Sequence, residues 1–119
     1  MKLLVLGLLA FAVLPAARTQ QTRQGRQTFT GTITDSECAA ADHSQMRMGP
    51  TNAECVAACI SDHGASYMLY DGKDAYTLSD QKTPQKFAAQ KVTVTGTLDT
   101  KTKTIRVESI AAAKSARVQ

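Results

Sequence analysis

The sequence predicts a mainly β fold, a small five-stranded barrel with a short helix inserted between strands one and two. Three observations lead to this prediction. Apolar and polar residues alternate with period two along several segments, which is typical of half-buried strands. Turn residues such as Asp71-Gly72 separate these segments. One long segment, Ser36 to Ser66, breaks the alternation and carries the start and stop signals of a helix.

Each strand is predicted from the alternation of one apolar face with a second face rich in threonine. In the first strand, for example, Phe29, Gly31 and Ile33 alternate with threonines. The five predicted strands lie, in chain order, in TFTGTITD, Tyr67–Tyr70, Ala75–Leu78, KVTVTGTLD and TIRVES. The last two are expected to form a hairpin through residues 99–103.

The segment QKTPQKFAAQ, residues 81–90, interrupts the strands, and Phe87 with Ala88 indicates a helical turn packed against the end of the barrel. Five short strands with a helical turn between the third and the fourth is the layout of an OB-fold barrel. The sequence therefore predicts an OB-like barrel, with an unusually long connection between its first two strands.

The inserted helix has recognisable ends. Thr51 and Glu54 form a capping box, in which the hydroxyl and the carboxylate each satisfy a backbone donor. Gly64 is suited to the left-handed conformation that ends many helices. We therefore expect a helix from about Asn52 to Asp62.

The N-terminus has the pattern of a secretory signal peptide. Lys2 precedes an unbroken run of twelve apolar residues, LLVLGLLAFAVL, and small residues follow at Ala16 and Ala17. Twelve apolar residues are too few to cross a membrane comfortably, so no stable membrane anchor is expected. We predict a periplasmic or secreted protein with a signal peptide (1–17), a disordered leader (18–28), one barrel domain (29–112) and a flexible tail (113–119).

The net charge of +4 does not indicate a nucleic-acid partner. Residues 29–112 contain eight basic and all ten acidic residues, so the predicted domain is slightly acidic and the positive charge lies in the tails. Nucleic-acid-binding domains concentrate positive charge on their folded face. We expect a monomer whose partner is a small ligand or a protein.

All three cysteines lie in the insertion. Cys55 and Cys59 are four residues apart on the helix, where they form a buried stripe with Val56 and Ile60. Because free thiols rarely persist outside the cytoplasm, one disulfide is also predicted. Cβ atoms at this helical spacing are about 5–6 Å apart, too far for a disulfide. Cys38 is therefore expected to pair with either Cys55 or Cys59.

The same residues also fit a metal site. Cys38, Cys55 and Cys59 can supply three thiolates, and His43 or His63 a fourth ligand, which is a closed tetrahedral set for zinc. Copper(I) prefers soft sulfur ligands, and Met46 and Met48 lie close to His43 in the sequence. The residues fit either copper or zinc. The alternative function is a disulfide-stapled structural or interaction domain that binds an unknown ligand on the face of the barrel.

An enzymatic role is not predicted. A thiol redox activity is the least favoured alternative, because the C-x-x-C motif is absent and Glu54 and Asp62 make the helix acidic around its cysteines. Asp35 and Glu37, at the end of the first strand, are expected to be solvated or hydrogen-bonded in a turn.

Several segments together resemble an uncharacterised family of small exported bacterial proteins: FTGTITDSEC, ECVAAC, YMLYDG, LSDQ and VTVTGTLDTKTKTIRVESI. The resemblance covers residues 29–112. It implies a signal peptide, an OB-like barrel and a cysteine-bearing insertion after the first strand, and it implies no particular activity.

Overall fold

The structure is a computed structural model that describes residues 12–13 and 25–114. The predicted signal peptide, apart from residues 12–13, and most of the predicted leader lie outside the described residues. Residues 115–119 of the predicted tail do as well. Among the described residues, no helix combines the length and the apolar character needed to cross a membrane.

The fold consists of five strands, one α-helix and one short 3₁₀ helix, Thr83–Phe87, among the described residues. The strands and the α-helix are β1 (Gln27–Asp35), α1 (Asn52–His63), β2 (Tyr67–Tyr70), β3 (Ala75–Leu78), β4 (Lys91–Asp99) and β5 (Thr104–Ala112). The five predicted strands and the inserted helix are confirmed. β5 extends to Ala112, because Ala111 and Ala112 continue its pairing with β4.

The five strands close into a ring in the order β1-β2-β3-β5-β4. β1 closes it by pairing antiparallel with β4 through its first half and with β2 through its second half. β3 and β5 are the one parallel pair among the described strands. This arrangement leaves the C-terminal end of β1 beside the start of β2, so the long insertion leaves and re-enters the sheet at one place.

Two glycines allow the strands to approach closely where the ring bends. Gly31 lies where β1 passes from one partner to the other, and a Cβ there would collide with the carbonyl oxygen of Tyr70. Gly96 lies at the irregularity in the β4–β5 pairing, and a Cβ there would collide with the carbonyl oxygen of Arg106. A side chain at either position would push two backbones apart.

The core fills the ring and extends to the helix. Its buried members come from every strand and from Val56 of α1: Ile33, Val56, Tyr67, Leu69, Leu78, Val92, Val94 and Ile105. Cys55 and Cys59 are also fully buried, and Ile60 packs against the core. The prediction of a buried stripe on this helix is therefore confirmed.

The ends of α1 follow the predicted capping. The Thr51 hydroxyl accepts a hydrogen bond from the Glu54 N–H (3.1 Å), and the Glu54 carboxylate accepts one from the Thr51 N–H (3.1 Å). Gly64 adopts a left-handed conformation with φ of 64°. The helix continues to His63, one residue beyond the predicted end. The chain that follows α1 lies beside the end of β1, because the Ser66 carbonyl oxygen accepts a hydrogen bond from the Ser36 N–H (2.9 Å).

Candidate metal centre

Asp35, the last residue of β1, is fully buried. Its Oδ1 accepts hydrogen bonds from the backbone N–H groups of Glu37 (2.9 Å) and Cys38 (3.0 Å). Its Oδ2 is buried and has no hydrogen-bond partner. Burying a carboxylate oxygen without a partner is costly, so this atom is available to a ligand.

Cys38 follows in a tight turn that is stabilised by two hydrogen bonds. Its carbonyl oxygen accepts hydrogen bonds from the Thr34 hydroxyl (2.6 Å) and from the Ala41 N–H (2.8 Å). Ala41 has a positive φ of 56°, an uncommon conformation for a residue with a side chain. The turn reverses the chain, so that the residues after Ala41 come back towards Asp35.

His43 lies on this returning segment and is 4% exposed. Its Nδ1 is buried and has no hydrogen-bond partner. Asp35 Oδ2 and His43 Nδ1 are the two buried side-chain nitrogen or oxygen atoms that lack a partner within the described residues. Both belong to the same small region of the molecule.

Asp35, Cys38 and His43 come together as a group. One potential ligand atom from each (a carboxylate oxygen, the thiol sulfur and a ring nitrogen) lies within 4.8 Å of the other two. Ligand atoms around a tetrahedral zinc ion are about 3.3–3.8 Å apart, given zinc–ligand bonds of roughly 2.0–2.3 Å. A modest contraction of the group would therefore place all three on one ion.

The electrostatics of the site keep its thiols neutral while no cation is bound. Burial raises the pKa of the Cys38 thiol, and the negative charge of Asp35 raises it further. Burial raises the pKa of Cys59 to about 12, again with a contribution from the charge of Asp35. Neutral buried thiols are poor nucleophiles, whereas a bound cation reverses this effect and stabilises the thiolate. The arrangement fits metal binding better than thiol catalysis.

The structure differs from the predicted disulfide. All three cysteines lie within the described residues, and each is a free thiol. The Cys55 sulfur accepts a hydrogen bond from the Met48 N–H (3.3 Å), and its thiol donates one to the Met46 carbonyl oxygen (3.3 Å). Cys55 is therefore hydrogen-bonded to the returning segment of the insertion and forms no disulfide with Cys38.

The predicted metal ligands fall into different places. Cys38 and His43 belong to the group, while Cys55 and Cys59 are buried on the face of α1 nearby. His63 is exposed at the last position of α1, and the Met46 side chain is 40% exposed. Cys59 and His63 share a helical face, but the four-residue step between them advances by about 6 Å along the helix axis. His63 is therefore displaced along the helix axis from Cys59 and lies exposed at the end of α1.

Asp35 is the member of the group that sequence reasoning missed. The sequence predicts that this carboxylate is solvated or hydrogen-bonded in a turn; the structure confirms the turn but buries the side chain. The sequence did contain a signal for Asp35. Gly31, Ile33 and Asp35 are two residues apart along β1, so they share the strand face that points to the core. An acidic residue in phase with a buried strand face is a candidate ligand.

Comparison of this chain with protein-family models, with curated proteins and with solved structures finds no significant match. The resemblance to small exported bacterial proteins therefore stays a prediction. The candidate site depends on its own geometry, namely a buried Asp/Cys/His group able to hold a metal ion.

Proposed function

We propose that this chain is a small exported protein that binds one zinc ion at Asp35, Cys38 and His43, at the mouth of an OB-like barrel. The observation that carries the proposal is the pair of buried, unpartnered atoms Asp35 Oδ2 and His43 Nδ1 beside a buried thiol. Each unpartnered atom destabilises the folded chain. A cation bound among them satisfies both atoms at once.

The donor set favours zinc over copper. Zinc accepts carboxylate oxygen, imidazole nitrogen and thiolate sulfur together, as this group offers them. Copper(I) selects soft sulfur ligands, whereas this group offers one sulfur with an oxygen and a nitrogen, and Met46 is exposed. A hard ion such as magnesium would need more oxygen ligands than Asp35 provides.

The order of strands supports the OB-like assignment. A five-stranded ring with the short helix before β4 is the layout expected of that fold. Export is supported by the apolar run at residues 3–14 with Lys2 before it. In an exported protein, a bound zinc ion would also protect the Cys38 thiol from oxidation.

The test is a zinc titration of the purified, metal-free protein in competition with a chromophoric chelator. We expect one zinc ion per chain. Replacing a proposed ligand, by Cys38→Ser or His43→Ala, is expected to weaken binding at least tenfold, since each change removes one metal bond.

His63→Ala is the matched control, because it removes the second histidine of the chain from an exposed position. It should leave the affinity unchanged. The proposal fails if the unaltered protein binds no zinc under these conditions, or if His63→Ala weakens binding as much as His43→Ala.

A further inference from the structure

We infer that Cys59 of α1 supplies the fourth ligand, so that the ion closes an Asp–Cys–Cys–His tetrahedral site joining β1, the insertion and the helix. This inference rests on the proposed function. Three protein ligands alone would leave a position for water or substrate, as in catalytic zinc sites. A fourth protein ligand would instead make the site structural.

The position of Cys59 supports this assignment. The residue is fully buried on α1, and this helix contacts β1, the strand that ends in Asp35. The Cys59 carbonyl oxygen accepts a hydrogen bond from the Ala65 N–H (3.2 Å), and the next residue, Ser66, accepts one from the N–H of Ser36, which directly follows Asp35 (2.9 Å). The Cys59 sulfur is not within the group formed by Asp35, Cys38 and His43, so it must approach them when the ion binds.

Cys55 is the competing candidate, since it is also buried on α1. Its sulfur already exchanges hydrogen bonds with the backbone at Met46 and Met48. Metal binding would cost that sulfur the bond it donates to Met46, because a thiolate has no proton to give. Cys55 is therefore assigned to holding the returning segment that carries His43, and Cys59 to the ion.

Closure by four protein ligands has a chemical consequence. An ion with no exchangeable water cannot activate a nucleophile, so the site would act as a structural fastener between the insertion and the barrel. The proposed class of ligand is a divalent tetrahedral ion bound by two thiolates, with a net charge of −1 at the site when Asp35 is ionised and His43 neutral.

The test replaces zinc with cobalt(II) and records the sulfur-to-cobalt charge-transfer absorption, whose intensity grows with the number of thiolate ligands. We expect Cys59→Ser to halve this intensity relative to the unaltered protein. Cys55→Ser, the matched control on the same helix face, should leave it unchanged. Unchanged intensity in Cys59→Ser, or a halved intensity in Cys55→Ser, would overturn the assignment.

X-ray absorption of the zinc-loaded, unaltered protein gives a second measurement that needs no substitution. We expect two sulfur scatterers at about 2.3 Å and two lighter atoms at about 2.0–2.1 Å. A single sulfur scatterer would contradict the four-ligand site, but it would agree with zinc bound by Asp35, Cys38 and His43 alone. No bound cobalt or zinc at all would instead remove the proposed function itself.

Discussion

At the scale of single residues, the two carboxylate oxygens of Asp35 have different environments. One carboxylate oxygen is anchored by two backbone N–H groups, and the other is buried without a partner. The anchored oxygen fixes the orientation of the carboxylate, so the free oxygen is held ready for an ion. Such preorganisation lowers the cost of assembling a metal site.

We predict that Asp35→Asn raises the zinc dissociation constant at least tenfold. The substitution keeps the shape of the side chain but removes the negative charge that bonds to the cation, and a tenfold loss corresponds to about 1.4 kcal/mol. The chelator titration measures it. Glu37→Gln is the control, because it removes a nearby but exposed carboxylate. Equal affinity in Asp35→Asn and the unaltered protein would contradict the role given to Asp35.

A second prediction concerns thiol reactivity in the folded, metal-free protein. With a pKa of about 12 against an ordinary 9.0, Cys59 has roughly a thousandfold less thiolate at pH 8, and its burial also blocks the reagent. Alkylation by iodoacetamide, followed by mass spectrometry of peptides, should label Cys59 far more slowly than in urea-unfolded protein. Equal rates in the two states would contradict this environment.

Cys38 and His43 were predicted as ligands from the sequence, whereas Asp35 was missed although it lies in phase with the buried face of β1. Cysteine and histidine are rare in this sequence and common as metal ligands, so each one is a candidate. Asp35 is one of ten acidic residues, and its residue type alone does not distinguish it. Its burial depends on the insertion folding back over the end of β1, which also buries Thr34 on the opposite side of that strand. No local sequence pattern predicts that the insertion folds back over the end of β1.

At the scale of elements, the strands and the helix follow from local signals. Period-two alternation is a property of the strand itself, and capping at Thr51 and Gly64 is a property of the helix ends. The insertion between Asp35 and Asn52 has no such periodicity. Its path is set by individual hydrogen bonds, such as that from the Thr34 hydroxyl to the Cys38 carbonyl oxygen, so the sequence could not predict which ligands it brings together.

The closure of the ring gives a prediction at this scale. Gly96→Ala should lower the free energy of unfolding by about 1–3 kcal/mol, since the new methyl group would collide with the backbone carbonyl of Arg106. Urea denaturation measures the change.

Gly25→Ala is the matched control for this substitution, because a Cβ at that position meets no atom within 4 Å. It should change the free energy of unfolding by less than about 0.5 kcal/mol. If both substitutions had the same small effect, β4 and β5 would not approach each other at Gly96 as the structure shows.

At the scale of the whole molecule, the proposed ion would connect parts of the chain that the core alone joins weakly. The barrel core is built mostly from the strands, with Val56 as the buried contribution of α1 besides its cysteines. The segment from Cys38 to Gly49 has no regular secondary structure. An ion bound by β1 and by His43 would fasten this segment to the barrel.

We therefore predict that zinc stabilises the folded protein. At a free zinc concentration a hundredfold above the dissociation constant, binding to the folded state alone adds about 2.7 kcal/mol. For a domain of this size that is an increase in Tm on the order of 10–20 °C, measurable by circular dichroism. Cys38→Ser should abolish most of the increase, and a chelator should reverse it. An equal increase in Cys38→Ser would place the stabilising ion elsewhere.

The most direct test of the central claim is a crystal structure of the protein with one equivalent of zinc, with anomalous diffraction data collected at the zinc absorption edge. We predict one strong anomalous peak at about 2.3 Å from the Cys38 sulfur and about 2.0–2.2 Å from Asp35 Oδ2 and a His43 ring nitrogen. A peak bound only by the exposed His63, or no peak among Asp35, Cys38 and His43, would contradict the claim.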